Sequence, residues 1–381
     1  LSWTALSRLE QGDPVDLRTI PAIVGGDTST RHGVVLAKSI PAKAFGIATG
    51  EPVVNALRKC PHLVIASPDH NMYRLKSQLL MEHLSNICPD IEQVSIDECY
   101  MDYTPIAANY PSPEEAAAFI RHSVFEKFKF TVNVGISDRK VLAKMASDFE
   151  KPDKTHTLYQ REIAQKMWPL PVSALFTCGH SSAETLRKLG ILTIGDLANT
   201  DPSILEAHLK SHGRCLWRYA NGIDDATVVL APSKAKGIGN STTLSSDALT
   251  REEACKVLLS LCESVGRRLR ASHQLAGQIC TEIRYNDFRN VSHQMPLDTP
   301  TASVNLLYED ACALFDELWD STPIRLLGVR TSKLVPEDEP IQLSLFDFPA
   351  PRSEKQQKLD AALDDIRAKY GKDAIKRGRF L

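Results

Sequence analysis

The residues with the greatest chemical reach lie together at Ser95-Ile96-Asp97-Glu98, with Asp102 four positions beyond Glu98. Two carboxylates between apolar neighbours are costly to bury unless a cation neutralises them. A divalent ion does this, and Mg2+ takes one or two carboxylates together with substrate phosphates. The chemistry would then be on a phosphate-bearing substrate. Regular strand geometry points Ile96 and Glu98 to one face and Asp97 to the other. Aiming both acids at one site therefore requires a turn or bulge at Asp97-Glu98. The other reading is a plain turn with two solvated acids, and spacing alone leaves both open.

The elements that must position these acids read as an α/β unit over residues 1 to about 160. Strands are expected at 21–24, 33–37, 63–66 and 130–135, and an alternating stretch at 94–102. Helices are expected at 52–59, 72–87, from Pro113 onward, and at 139–149. After Lys151-Pro152 the character changes to short helices with tight turns, between Gln160 and Asn221. A loop rich in Gly, Ser and Lys at 232–239 marks a boundary. Beyond it, helices at 251–272 and 302–319 interleave with strands at 277–285 and 324–332, an α+β pattern. A Pro- and Glu-rich linker, Val335 to Pro340, leads to a tail with a further helix expected at 357–370.

Composition narrows the class. Of 381 residues, 43% are hydrophobic and 24% charged, and the formal net charge is -2. That is ordinary globular composition. It argues against a protein that coats nucleic acid over its whole surface, but leaves room for one basic groove. The nine cysteines are scattered without a CxxC pair, which predicts reduced thiols in a cytoplasmic protein and no zinc site. No apolar stretch approaches the ~20 residues that span a bilayer, so no membrane partner is expected. The chain opens at Leu1-Ser2-Trp3-Thr4, which reads as the middle of an element.

Ser95-Ile-Asp-Glu-Cys-Tyr-Met-Asp102 resembles the central metal-binding motif of the Y-family, or translesion, DNA polymerases. Phe45-Gly46 through Gly50-Glu51-Pro52 is similar to the family's fingers segment. Val134-Gly-Ile-Ser137, Leu142-Ala-Lys-Met-Ala-Ser147 and Lys151-Pro152 are similar to its next palm motif. The motifs occur in order over nearly the whole chain. The resemblance implies an α+β multidomain right-hand polymerase with a ferredoxin-like palm, fingers, a small helical thumb and an α+β little-finger domain. Palm and fingers would occupy 1–160 (fingers about 15–72), the thumb 161–230, a linker 231–240, the little finger 241–335 and a clamp-binding tail 336–381.

The same resemblance implies roles. Asp97 and Glu98 would be the catalytic acids holding two Mg2+ ions, with Lys43, Tyr73, Ser95 and Lys151 near the nucleotide. Two-metal transfer places ions ~3.5–4 Å apart, one activating the primer 3′-hydroxyl and both clamping the phosphate. The family's Tyr-x-x-Arg pair falls on Ile40 and Lys43, and lysine keeps the charge but loses the bidentate fork. Tyr73 could instead be a packing residue. A third metal-binding Asp and an aromatic that excludes ribonucleotides would lie just before Leu1, with Leu1-Ser-Trp-Thr-Ala-Leu6 matching the helix that follows.

Thr177-Cys-Gly179-His-Ser181 resembles a helix-hairpin-helix turn, in which backbone amides meet a phosphate. Gly213 and Arg214 could serve likewise, and a plain helix–helix turn explains either site as well. Residues 234–333 hold 12 basic and 12 acidic side chains, so a phosphate track there would need one-sided clustering. Arg284, Arg289 and Arg330 are the candidates, and the acidic helix around Glu309 to Asp320 would face solvent. Gln342-Leu343-Ser-Leu345-Phe346 resembles the bacterial sliding-clamp-binding motif, an apolar anchor with a polar contact from Gln342. The implied protein is a template-directed, low-fidelity, monomeric polymerase whose partners are primer-template DNA, deoxynucleoside triphosphates and the clamp. The competing reading is a catalytically impaired, polymerase-like repair scaffold that binds clamp and primer-template.

Overall fold

The structure, a computed structural model, describes residues 1–26, 33–231, 235–338, 354–371 and 374–375. The clamp-like residues Gln342, Leu343, Leu345 and Phe346 lie outside the described residues. Chain contacts divide the molecule into two compact units. One comprises Leu1–Val24, Ala37–Ile47 and His62–Pro232, and the other Gly25–Leu36, Ala48–Pro61 and Ser233–Leu381.

In chain order the first part runs α1 (Ser2–Glu10), β1 (Ala22–Gly25), β2 (Val35–Lys38), α2 (Ile40–Ala44), α3 (Val53–Lys59), β3 (Val64–Ala66) and α4 (His70–Ile87). It continues with β4 (Ile91–Gln93), β5 (Cys99–Met101), α5 (Pro113–Phe128), β6 (Val134–Ile136), α6 (Lys140–Ser147) and β7 (Thr155–Thr157). The strands are short. β1 pairs parallel with β3, β4 antiparallel with β5, and β6 parallel with β7. Helix α4 starts where the Asp69 carboxylate accepts from the Asn71 and Met72 amides. Its buried residues Ser77, Leu80, Met81 and Leu84 follow helical spacing. Leu80, Met81 and Leu84 pack on Val124 of α5 and, among partly buried neighbours, on Ile91, Cys99 and Met101 of the β4–β5 pair.

Helix α6 lies hard against β6. A Cβ on Gly135 would stand 1.9 Å from the Ala143 carbonyl oxygen, so only glycine permits this approach. The α6 amide of Val141 donates to the buried Asp224 carboxylate at 2.9 Å, a cap supplied from outside the helix. The remaining helices of this unit are α7 (Ile163–Lys166), α8 (His180–Lys188), α9 (Ile194–Ala198), α10 (Pro202–Leu209) and α11 (Ser211–Ala220). Their Leu186, Ile194, Leu197, Leu205 and Leu216 share one core with Val141, Leu142 and Met145 of α6. Burial of this shared apolar surface is what fixes α6 in place.

The second unit contains β8 (Gly237–Ala248), α12 (Arg251–Ala271), β9 (Gln274–Tyr285), β10 (Asn290–Thr301), α13 (Val304–Leu318), β11 (Ile324–Pro336) and α14 (Glu354–Tyr370). Four antiparallel strands run in the order β10-β9-β11-β8. Helices α12 and α13 cover one face through Leu258, Leu269, Leu307 and Phe315, which meet Ile279, Ile283 and Val329. The two strands of this sheet that sequence reading did not anticipate, β8 and β10, are its edges. Each mixes polar residues with a few that reach the core, Ile238 and Leu244 in β8 and Val291, Met295 and Leu297 in β10, and Pro296 and Pro300 in β10 are tolerated because an edge strand need not donate on both sides. Among the described residues no helix is long and apolar enough to cross a membrane.

Candidate active site and DNA-contact surfaces

The expected alternating strand at 94–102 is not one strand. β4 ends at Gln93 and β5 starts at Cys99, and the acids sit in the connecting turn. The amides of Val94 and Ser95 both donate to the Glu98 carbonyl, at 3.0 and 3.1 Å, which closes the turn. Gln93 Nε2 braces it from the strand by donating to the Ser95 carbonyl at 2.9 Å. The reason for the departure is the one geometry demands: a regular strand would send Asp97 and Glu98 to opposite faces. In the turn both acids are exposed.

Ser95 Oγ donates to Asp97 Oδ1 at 2.9 Å and accepts from the Asp97 amide at 3.3 Å, so Ser95 orients the first acid. The second acid is held from α6: Lys144 Nζ lies 2.6 Å from Glu98 Oε1 and 3.1 Å from Asp148 Oδ2. Lys151 Nζ, three residues on, lies 2.8 Å from Asp148 Oδ1. Burial opposes the charge on Lys144, but Glu98 and Asp148 outweigh it and hold its pKa above the usual value. Burial likewise opposes the Asp148 carboxylate, and Lys151 and Lys144 outweigh it, holding that pKa low. Behind the turn, burial, aided by Glu98, pushes the Cys99 thiol up to about 11, so it is an inert packing group.

Asp97 and Glu98 offer hard oxygen donors, exposed and adjacent. This suits Mg2+, which retains waters and takes part of its shell from substrate phosphates. Among the described residues no group of three His, Cys, Asp or Glu converges as a metal cluster.

The other nucleotide candidates are spread out. Lys43 is exposed in the last turn of α2, a helix started by Ser39 Oγ accepting from the Ala42 amide. Tyr73 is half-buried: its hydroxyl hydrogen-bonds Thr4 Oγ1 at 2.8 Å, and its ring packs near Trp3 and His70. In this structure it joins α4 to α1. One turn further, a groove of about 480 Å3 runs along α4 beside the acid turn, lined by Arg74, Ser77, Gln78, Met81, Gln93 and Ile96.

Among the DNA-contact candidates, Gly179 caps α8 with φ -68°, and the left-handed residue of that turn is Thr177 at φ 68°. Ser181 is exposed in the first turn of α8. Gly213 is a packing glycine: a Cβ there would lie 2.3 Å from the Leu205 carbonyl oxygen, where α11 crosses α10. Its amide is already bonded to the Lys210 carbonyl. Arg214 is paired with Glu206 at 2.5 Å.

On the four-stranded sheet, Arg330 lies opposite Cys280, and Arg284 lies opposite Asn290, to which its Nε donates at 2.7 Å. Alternation puts Arg284 and Arg330 on the face away from Ile279, Ile283 and Val329, the face that α12 and α13 leave uncovered. Arg289 is elsewhere, at the β9–β10 turn, stacked over Tyr285 and bonded to Asp320 at 2.6 Å. The acidic residues of and beside α13 are not merely solvated. Asp316 pairs with Arg251 and Glu317 with His293, as Asp320 does with Arg289. Sequence reasoning missed Lys144 and Asp148. Their four-residue spacing on an amphipathic helix was the available signal.

The chain matches the impB/mucB/samB family over residues 5–148 and that family's C-terminal domain over residues 235–345. It is 45% identical to DNA polymerase IV of Clostridium acetobutylicum, over 100% of this chain and 95% of the relative. It is 36% identical to DNA polymerase IV of Alkaliphilus oremlandii, over 95% and 93% of the two chains. It is 35% identical to DNA polymerase IV 1 of Bacillus subtilis, over 97% and 89%. Among solved structures it resembles the "Y-family DNA polymerase chimera Dbh-Dpo4(243-245)-Dbh" with a TM-score of 0.75 and 22% identity, covering 88% of this chain and 97% of the other.

Proposed function

Because this chain belongs to the impB/mucB/samB family of Y-family DNA polymerases, with the palm, fingers, thumb and little-finger architecture of that fold, we propose how its residues divide the work. It is a DNA-directed DNA polymerase, a nucleotidyltransferase of translesion synthesis. We assign the palm and fingers to residues 1–160, the thumb to 161–230 and the little finger to 241–335.

The observation that carries the site assignment is the exposed turn between β4 and β5 that holds Asp97 and Glu98, with Ser95 on the first acid and Lys144 on the second. In this reading the two acids hold Mg2+, which supplies a Lewis acid for the transferring phosphate and lowers the pKa of the attacking hydroxyl. Ser95 keeps Asp97 aimed. Lys151 and Lys43 meet the negative triphosphate, and Lys151 exchanges Asp148 for a phosphate oxygen as the nucleotide arrives. Arg284 and Arg330 follow the phosphate backbone of the duplex from the uncovered sheet face, with the exposed amides at the start of α8 as a second grip. Low fidelity is part of this reading, on the strength of the family resemblance. The tail peptide Gln342 to Phe346 docks on the sliding clamp. The protein works in the cytoplasm, in keeping with its nine free cysteines.

The test is single-nucleotide insertion by the full-length protein with Mg2+, opposite an intact base and opposite an abasic analogue. We expect insertion that follows the intact template and persists, more slowly, at the lesion. DNA binding without insertion on either template would contradict the enzyme reading and leave the scaffold.

A further inference from the structure

A chain of four charges of alternating sign, Glu98, Lys144, Asp148 and Lys151, starts in the acid turn, passes through Lys144 of α6 and continues into the residues after that helix. It runs from a metal-side acid to a phosphate-side cation. Lys144 sits in its middle and is the most enclosed member, with 17% of its side chain exposed against 47% for Glu98 and 59% for Lys151. Its helix cannot yield easily. Gly135 lies directly beneath Ala143, and Asp224 caps the N-terminus. The ammonium is therefore delivered to Glu98 from a rigid base.

We propose that Lys144 is a positioning residue that couples the two sides of the site. It holds the Glu98 carboxylate in the turn. By sharing Asp148 with Lys151, it also sets how readily Lys151 is released to a triphosphate. The proposal rests on the reading of Glu98 as a metal-side acid and Lys151 as a phosphate-side cation.

Charge fixes the direction of each effect. Lys144→Met removes a cation beside Glu98, so a divalent ion binds more tightly in the absence of nucleotide. Asp148 is then left with Lys151 alone and retains it, so nucleotide binds more weakly. Asp148→Asn does the reverse: Lys144 turns wholly to Glu98, and Lys151 is freed.

The experiment measures Mn2+ binding by electron paramagnetic resonance without nucleotide, and nucleotide KM and kcat on primer-template, using the full-length protein. For Lys144→Met we expect Mn2+ affinity to rise about three- to ten-fold and nucleotide KM to rise by a similar factor, with kcat changed less. Asp148→Asn should move both quantities the opposite way, and Lys144→Arg should stay near the unmodified protein. A merely structural role would weaken both bindings together. Parallel losses in Lys144→Met, no change in either quantity, or an arginine variant that behaves like methionine would overturn the proposal. If Lys144→Met fails to fold, the Asp148→Asn pattern decides alone. Should Asp97→Ala leave primer extension intact, the underlying site reading fails instead, which keeps the two failures apart.

Discussion

At the scale of single residues, the same side-chain type serves different ends, and only its surroundings separate them. Arg284 and Arg330 share an uncovered sheet face, while Arg289 is spent on Asp320 and Arg270 on Asp364 and the Ala302 carbonyl. In our reading the first two are placed to meet a phosphate backbone. Replacing both with alanine should weaken duplex binding about equally for all sequences. It should also reduce the slope of log affinity against log salt by about 2, one unit per lost phosphate contact. Titration of binding between low and moderate salt checks this, and an unchanged slope would place the duplex elsewhere. Asp97 and Glu98 could be singled out from residue type and spacing. The roles of Gly213 and Tyr73 could not, because a glycine that meets a phosphate and one that lets α11 cross α10 look alike until the Leu205 carbonyl is seen.

At the scale of elements, legibility followed apolar periodicity. Helix α4 was readable because Leu80, Met81 and Leu84 repeat at helical spacing, and β9 because Ile279, Ile283 and Tyr285 are apolar and buried. The edge strands β8 and β10 were not readable. They pair on one side only, and Ser, Thr, Asn and Pro interrupt the few apolar residues that they turn to the core. The acid turn was half-readable: period 2 showed that a regular strand could not aim both carboxylates together, but the bonds of Val94 and Ser95 to the Glu98 carbonyl were needed to place it. Long-range capping was invisible in the sequence. Asp224 reaches α6 from 83 residues away, and without it the helix that carries Lys144 would begin with an unsatisfied buried amide.

At the scale of the whole molecule, a near-neutral chain must restrict its DNA contact to limited surfaces and gain residence by other means. The tail supplies such a means in our reading. Its final helix α14 is anchored on α12 by Arg270 with Asp364 and by Arg367 with Glu263. Tethering at a clamp raises the effective concentration at a primer end without new DNA contacts. Replacing Leu345 and Phe346 with alanine should lower clamp affinity on the order of ten-fold or more while leaving clamp-free primer extension unchanged. Unchanged clamp affinity by surface plasmon resonance would refute the motif. The central claim is that the turn at Asp97-Glu98 carries the chemistry, and primer extension with Mg2+ by full-length Asp97→Ala tests it most directly. We predict that extension falls at least about a thousand-fold while duplex affinity stays within about three-fold. Extension equal to that of the unmodified protein would contradict the account.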